Sequence, residues 1–135
     1  MKTSIVIPST DKHFKYLDCV LKSYAQQTKM PEEVVISIAN GHLLATTEID
    51  RLTSKFEDLF DLQILIHNKI VPEGPNRGEG TKVASHELII YNDSDDLAHP
   101  QRIEIINRIF EERGINHLNH SYSFDQRFDH IQSIK

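Results

Sequence analysis

Four short runs rich in β-branched and other apolar residues punctuate the chain: Ser4-Ile5-Val6-Ile7-Pro8, Val34-Val35-Ile36-Ser37-Ile38, Gln63-Ile64-Leu65-Ile66-His67 and Leu88-Ile89-Ile90-Tyr91. Their apolar residues run on rather than alternate with polar ones. Strands that are covered on both faces have this pattern, and a half-solvated sheet does not. Between the runs lie segments with helical spacing. Tyr16, Leu17, Val20, Leu21 and Tyr24 share one helix face, which Met30-Pro31 terminates. Ile49, Leu52, Phe56 and Leu59 form a second face, and Ile103, Ile106, Ile109 and Phe110 a third. Pro100 suits the first turn of that last helix, and Arg113-Gly114 ends it. A short helical stretch is expected at residues 81–86 and a further strand at residues 117–122. Alternating strands and helices of this kind define an α/β fold: a mainly parallel sheet with helices on both faces.

A chain of 135 residues has room for one domain, residues 1–135. Ligands of open parallel sheets sit beyond the carboxyl ends of the strands. Three loops therefore carry the functional expectation: residues 9–13, 39–42 and 92–96. Residues 71–80 hold three glycines and two prolines and read as a further loop. The net charge of −5 and the lack of a basic stripe argue against nucleic acid as partner. No apolar run reaches the roughly 20 residues of a membrane span. The first residues resemble no secretory leader, and one cysteine, Cys19, excludes an internal disulfide and a multi-cysteine metal site. A cytoplasmic setting is the expectation, with Cys19 as a buried or half-buried inert thiol.

The strongest chemical signal is Asp93-Ser94-Asp95-Asp96 directly after an apolar strand. Carboxylates so close repel one another unless a cation or solvent offsets their charge. At a strand end, Asp93 and Asp95 can converge on one hard divalent cation, which prefers oxygen ligands. The same residues also suit a solvated acidic turn capping the helix at Pro100, and the local sequence fits both readings. An EF-hand beginning at Asp93 is rejected, because Ala98 replaces its glycine and Pro100 falls inside the loop. A D-x-D-x-[TV] phosphatase motif stays as an alternative, although Leu97 takes its fifth position and the acidic group follows the fourth strand rather than the first. The segment 74–80 lacks the ending of a Walker loop, although Arg77 could meet an anion. His117 and His120 have a metal-compatible spacing but no third ligand, so a structural or surface role is expected for them.

In combination these pieces resemble the nucleotide-binding half of a family 2 glycosyltransferase of the GT-A fold. The opening residues 4–11 resemble the family's first strand and its proline-threonine turn. Gln27-Thr28 and Pro31 resemble its "QT..P" stretch. Arg77-Gly78-Glu79-Gly80 and Ala84 keep the spacing of its "RN.G…A" segment, and Asp93-Ser94-Asp95-Asp96 with Pro100 resembles its "DaDD" and following helix. The resemblance covers residues 1–114, leaving 115–135 outside it.

The resemblance implies that Pro8, Ser9, Thr10 and Asp11 contact the nucleoside. It places Asp93 and Ser94 near the ribose and diphosphate, with Arg77 as an anion partner. Asp95, with Asp93, would hold a manganese or magnesium ion on the diphosphate of a nucleotide-sugar donor. The reaction implied is inverting sugar transfer to an acceptor, whether glycan, lipid or protein. The family's second strand usually ends in aspartates, whereas this one ends in Ile38-Ala39-Asn40-Gly41, which leaves Asn40 to read the base. The acceptor half is expected to be incomplete, with Asp125 and Asp129 the only carboxylates available as a base in the tail. A partner chain or a second copy would then complete the site. The alternative function is a non-catalytic nucleotide-sugar-binding or assembly module.

Overall fold

The computed structural model describes residues 1–114. The strand expected at 117–122, together with His117, His120, Asp125 and Asp129, lies outside the described residues. Within them, β1 (Thr3–Thr10), β2 (Glu33–Ala39), β3 (Asp61–Ile66) and β4 (Leu88–Tyr91) form one sheet in the order β3-β2-β1-β4. Every pairing is parallel. The helices are α1 (Leu17–Ala25), α2 (Thr46–Phe56), α3 (Glu73–Val83) and α4 (Arg102–Arg113).

The register explains the continuous apolar runs. Ile5 pairs with Val34 on one side and Ile90 on the other, so large side chains share one face. There Ile5, Ile7, Val34, Ile36, Ile38, Leu88 and Ile90 pack with Leu17, Leu21 and Tyr24 of α1, Leu52 and Phe56 of α2, and Ile103 and Ile106 of α4. The opposite face carries smaller and more polar residues at the alternate positions: Ser4, Val6, Glu33, Val35 and Ser37. It lies under α3, so β1 and β2 are buried on both sides, as their continuous apolar runs require, while the edge strand β3 stays half-exposed, with Ile66 43% exposed.

Helix α3 corrects the sequence reading, which placed a loop over residues 71–80. Glycine and proline disfavour a helix interior, but position changes their meaning here. Pro75 is the third residue of α3, where its missing N–H has no intrahelical partner to lose. Gly80 faces the sheet, and a Cβ there would stand 2.7 Å from Val6 Cγ1. Only a glycine lets the helix approach so closely. The helix ends at Val83, so the helix expected at 81–86 survives only as its last turn.

Other differences have local causes. Tyr16 belongs to a 3-10 turn, Phe14–Tyr16, and is 43% exposed. Leu59 lies past the end of α2 and is exposed, while Phe60 is buried in its place. Cys19 is exposed, not buried, because it falls on the solvent side of α1. Strand β1 also runs two residues beyond Pro8, where the sequence reading ended it. Val6 O accepts a hydrogen bond from Asn92 N, so the even positions of β1 turn their backbone groups toward β4. β4 pairs only as far as Val6, so the N–H that Pro8 lacks has no strand opposite it.

Candidate functional site

Strands β1, β2 and β3 succeed one another in one direction across the sheet, while β4 lies on the other side of β1. The order therefore reverses between β1 and β4. At such a switch point the loops leave in opposite directions and open a crevice at the carboxyl ends of the strands. A cavity of about 270 Å³ occupies that place. Pro8, Ser9 and Thr10 from the end of β1 form one wall, and Asp93, Ser94 and Asp95 after β4 form the other. Val71, Glu73 and Asn76 at the start of α3 add a third side, and His13 reaches Ser94 Oγ at 3.3 Å.

Asp93, Asp95 and Asp96 each bring a carboxylate oxygen within 4.8 Å of the others, and all three residues are exposed. Oxygens that share one octahedral magnesium ion at about 2.1 Å lie roughly 3.0 Å apart side by side and roughly 4.2 Å apart across it, within that limit. Two unit charges at such a distance repel by about 1 kcal/mol even in water. Desolvation, added to the charges of Asp93 and Asp95, holds the Asp96 pKa above its ordinary value. The donor set, all hard carboxylate oxygens, fits a divalent cation of the magnesium or manganese kind.

The loop that carries these aspartates is tied down at both ends. Asn92 Nδ2 donates to the carbonyls of Asp93 (2.7 Å) and Asp96 (2.9 Å). At the far end, Ala98 N donates to Ser23 Oγ at 3.1 Å. Gln27 Nε2 donates to His99 O at 2.7 Å, and Gln27 Oε1 accepts from Ile103 N at 3.1 Å. Gln27, just past the end of α1, thus caps α4 and meets an orphan N–H of the helix start.

Asn76 is the site residue that sequence reasoning missed. It is buried, with Nδ2 donating to Ser9 O (3.0 Å) and Ser37 O (2.9 Å). Its Oδ1 accepts from Ser37 Oγ at 2.7 Å. The Ser37 hydroxyl proton is thereby committed, so the 2.7 Å contact with His67 Nε2 has the imidazole N–H donating. This network pins the start of α3 to the ends of β1 and β2. The available signal was Ser37 itself, a lone hydroxyl in an apolar run that had to find a buried partner.

The remaining expected residues separate. Asp11 lies on a different groove, of about 540 Å³, with Lys12, Phe14 and Leu52. Asn40 sits at the end of β2, one strand away from the cavity and not among its lining residues, with a left-handed backbone (φ 55°) that asparagine tolerates. Arg77 flanks the cavity from α3: it bonds Glu73 at 3.0 Å, lies 3.8 Å from Asp93, and stacks over Tyr91 at 5.2 Å. Its Nε is shielded and meets no acceptor among the described residues.

A parallel α/β sheet with an acidic loop at its β1–β4 switch point is the arrangement expected of the GT-A fold that the sequence resembles. Solved structures bear the fold out. The chain matches the crystal structure of S. aureus TarS 1–349 in complex with UDP with a TM-score of 0.70 and 23% identity, over 84% of this chain and 33% of that one. The same TarS segment in complex with UDP-GlcNAc gives 0.69 and 24%, over 84% and 32%. A longer TarS structure gives 0.68 and 23%, over 83% and 20%. The chain therefore spans about a third or less of the TarS chains it matches. No protein-family model matches the chain, and no curated protein matches it. No helix among the described residues is long and apolar enough to cross a membrane.

Proposed function

We propose that this chain binds a nucleoside-diphosphate sugar with a divalent cation and serves glycosyl transfer. One observation carries the reading: the switch-point cavity joins the β1 residues Pro8, Ser9 and Thr10 to Asp93, Ser94 and Asp95. The first set offers a wall for the nucleoside. Asp93 and Asp95 would hold manganese or magnesium, with Asp96 beside them. When bound, the ion neutralises the leaving diphosphate as the glycosidic bond breaks. Arg77, whose Nη2 lies 3.8 Å from Asp93 beside the cavity, supports a second contact to that diphosphate. Asp11 and Asn40 stand at neighbouring strand ends outside the cavity lining and would meet a nucleoside only where it extends beyond the cavity. The acceptor and the residue that deprotonates it belong to the part of the reaction that Asp125, Asp129 or another chain would supply.

The TarS structures hold UDP and UDP-GlcNAc, so uridine donors are the first to test. The experiment is a titration with UDP, GDP and TDP, with and without manganese, on the wild type and on Asp95→Ala. Metal-dependent nucleotide binding that disappears in the variant is the expected result. Equal metal dependence in both proteins refutes the role of Asp95, and no nucleotide binding at all refutes the reading. The second reading, a binding module without turnover, draws on the span of the likeness, 33% of the TarS 1–349 chain. Acceptor-dependent sugar transfer by this chain alone would exclude it.

A further inference from the structure

Behind the acidic loop lies a polar cluster of buried Asn92 and Tyr24 with Arg102, none of which lines the cavity. The Asn92 side chain is buried at the end of β4, between the loop and α1. Its amide is fully used. Nδ2 donates to the Asp93 and Asp96 carbonyls, and Oδ1 accepts from Tyr24 Oη at 2.7 Å and from Arg102 Nη1. Arg102 donates through Nη1 to Tyr24 Oη at 2.9 Å as well, and through Nη2 to Tyr91 O at 2.9 Å. One guanidinium therefore grips the last residue of β4, the asparagine that follows it, and α1. Asn92 in turn closes a ring around the acidic turn by holding its first and fourth residues.

The arrangement opposes a specific force. Three carboxylates with oxygens within 4.8 Å of one another push the turn open, and on the cavity side only the 3.3 Å His13–Ser94 contact and the distant Arg77 charge oppose this among the described residues. The Nδ2 bonds hold the backbone closed from behind, and the planar Arg102 fork fixes the orientation of the Asn92 amide. A lysine could not make these contacts together, because a single ammonium cannot span Tyr91 O, Tyr24 Oη and Asn92 Oδ1 in one plane.

We propose that Asn92 and Arg102 are positioning residues that hold Asp93, Asp95 and Asp96 converged for a divalent cation. The inference rests on the cation-binding reading above, and it makes a prediction that charge alone reverses. Arg102 is a cation whose guanidinium bonds the residue next to the cluster, and by Coulomb's law its positive charge opposes a metal ion there. Removing that charge by Arg102→Gln should tighten manganese binding on charge grounds and weaken it on positioning grounds. Asn92→Asp adds a carboxylate beside the cluster but deletes both Nδ2 donors, so the two accounts again differ in sign. Arg102→Lys keeps the charge and loses the fork.

The test measures manganese affinity by the electron paramagnetic resonance signal of the free ion, with manganese alone and with manganese plus UDP. In parallel, amide hydrogen exchange is followed at Ala98 and at Ile36 in the sheet. The expected result is an affinity loss of about tenfold in all three variants. Exchange at Ala98 should rise by a similar factor in the two Arg102 variants, with Ile36 unchanged. Exchange at Ile36 also reports whether each variant keeps its fold. Unchanged or tighter manganese binding in Arg102→Gln and Asn92→Asp would overturn the proposal, and so would unaltered exchange at Ala98 in Arg102→Lys. If the wild type binds neither manganese nor UDP, the cation-binding reading fails. The exchange rates then still decide whether the two residues hold the loop.

Discussion

Alanine at position 80 and alanine at position 78 should change the stability of this protein in opposite directions. Both glycines lie in the interior of α3, and in an isolated helix either substitution stabilises by up to about 1 kcal/mol. Their surroundings differ. A Cβ at Gly78 has nothing within 4 Å, whereas a Cβ at Gly80 stands 2.7 Å from Val6 Cγ1 and 3.7 Å from Ser37 Cβ. Carbon atoms in contact sit about 3.5–4.0 Å apart, so the helix or Val6 must retreat by about 1 Å. Val6 is fully buried in the central strand and has little room to move. Overpacking of this kind costs about 1–3 kcal/mol, which exceeds the helix gain. Gly78→Ala should therefore raise the urea-unfolding free energy by up to about 1 kcal/mol, and Gly80→Ala should lower it by about 1–2 kcal/mol. In thermal unfolding the pair should separate by roughly 8 °C. Lifting α3 also draws Asn76 away from Ser9 and Ser37, so only Gly80→Ala should weaken nucleotide binding. Equal stabilisation by both substitutions would refute the close packing of α3 on the sheet.

Glu33, buried at the opposite end of the sheet, accepts from Ser4 Oγ (2.7 Å), Ser85 N (2.8 Å) and Gln63 Nε2 (2.6 Å). Burial raises its pKa, but these bonds outweigh burial and hold it below the ordinary value of 4.5. Its folded pKa is therefore the lower one, so its contribution is complete above about pH 4.5 and is lost as pH falls through the folded value. Glu33→Gln should destabilise by roughly 2–3 kcal/mol at pH 7, with the gap to wild type closing in acid unfolding curves; a gap independent of pH would count against it. Asn76→Ala leaves two carbonyls and the Ser37 hydroxyl unmatched and should lower stability by about 2–4 kcal/mol, read by urea unfolding, with a loss of less than 1 kcal/mol arguing that water replaces the amide. Asn40→Ala should weaken nucleotide binding by about 1–3 kcal/mol if the amide meets the base, and calorimetry showing unchanged affinity and base preference would remove it as reader.

The sequence alone was enough for the strands, their parallel character, the GT-A resemblance and the acidic loop. Hydrophobic periodicity and the order of motifs are local properties, and the two-sided burial of β1 and β2 is written in their unbroken apolar runs. Even Gln27-Thr28, noted only as a motif, kept its place, and the fold supplies its reason in the cap on α4. Three matters waited for the tertiary structure. The acidic residues singled out the loop after β4, but the reading did not distinguish the loops after β1 and β2 as its neighbour, because pattern does not give strand order. The order β3-β2-β1-β4 puts the switch point between β1 and β4, which brings residues 8–10 to Asp93 and leaves Asn40 one strand away. Helix α3 was read as a loop because glycine and proline disfavour helices in isolation. Its glycine is instead required by contact with Val6, a residue 74 positions earlier that no local window includes. Asn76, Asn92 and Arg102 acquire their roles in the same way, since a polar side chain in a sequence shows what it can bond and only the packed chain supplies its partners.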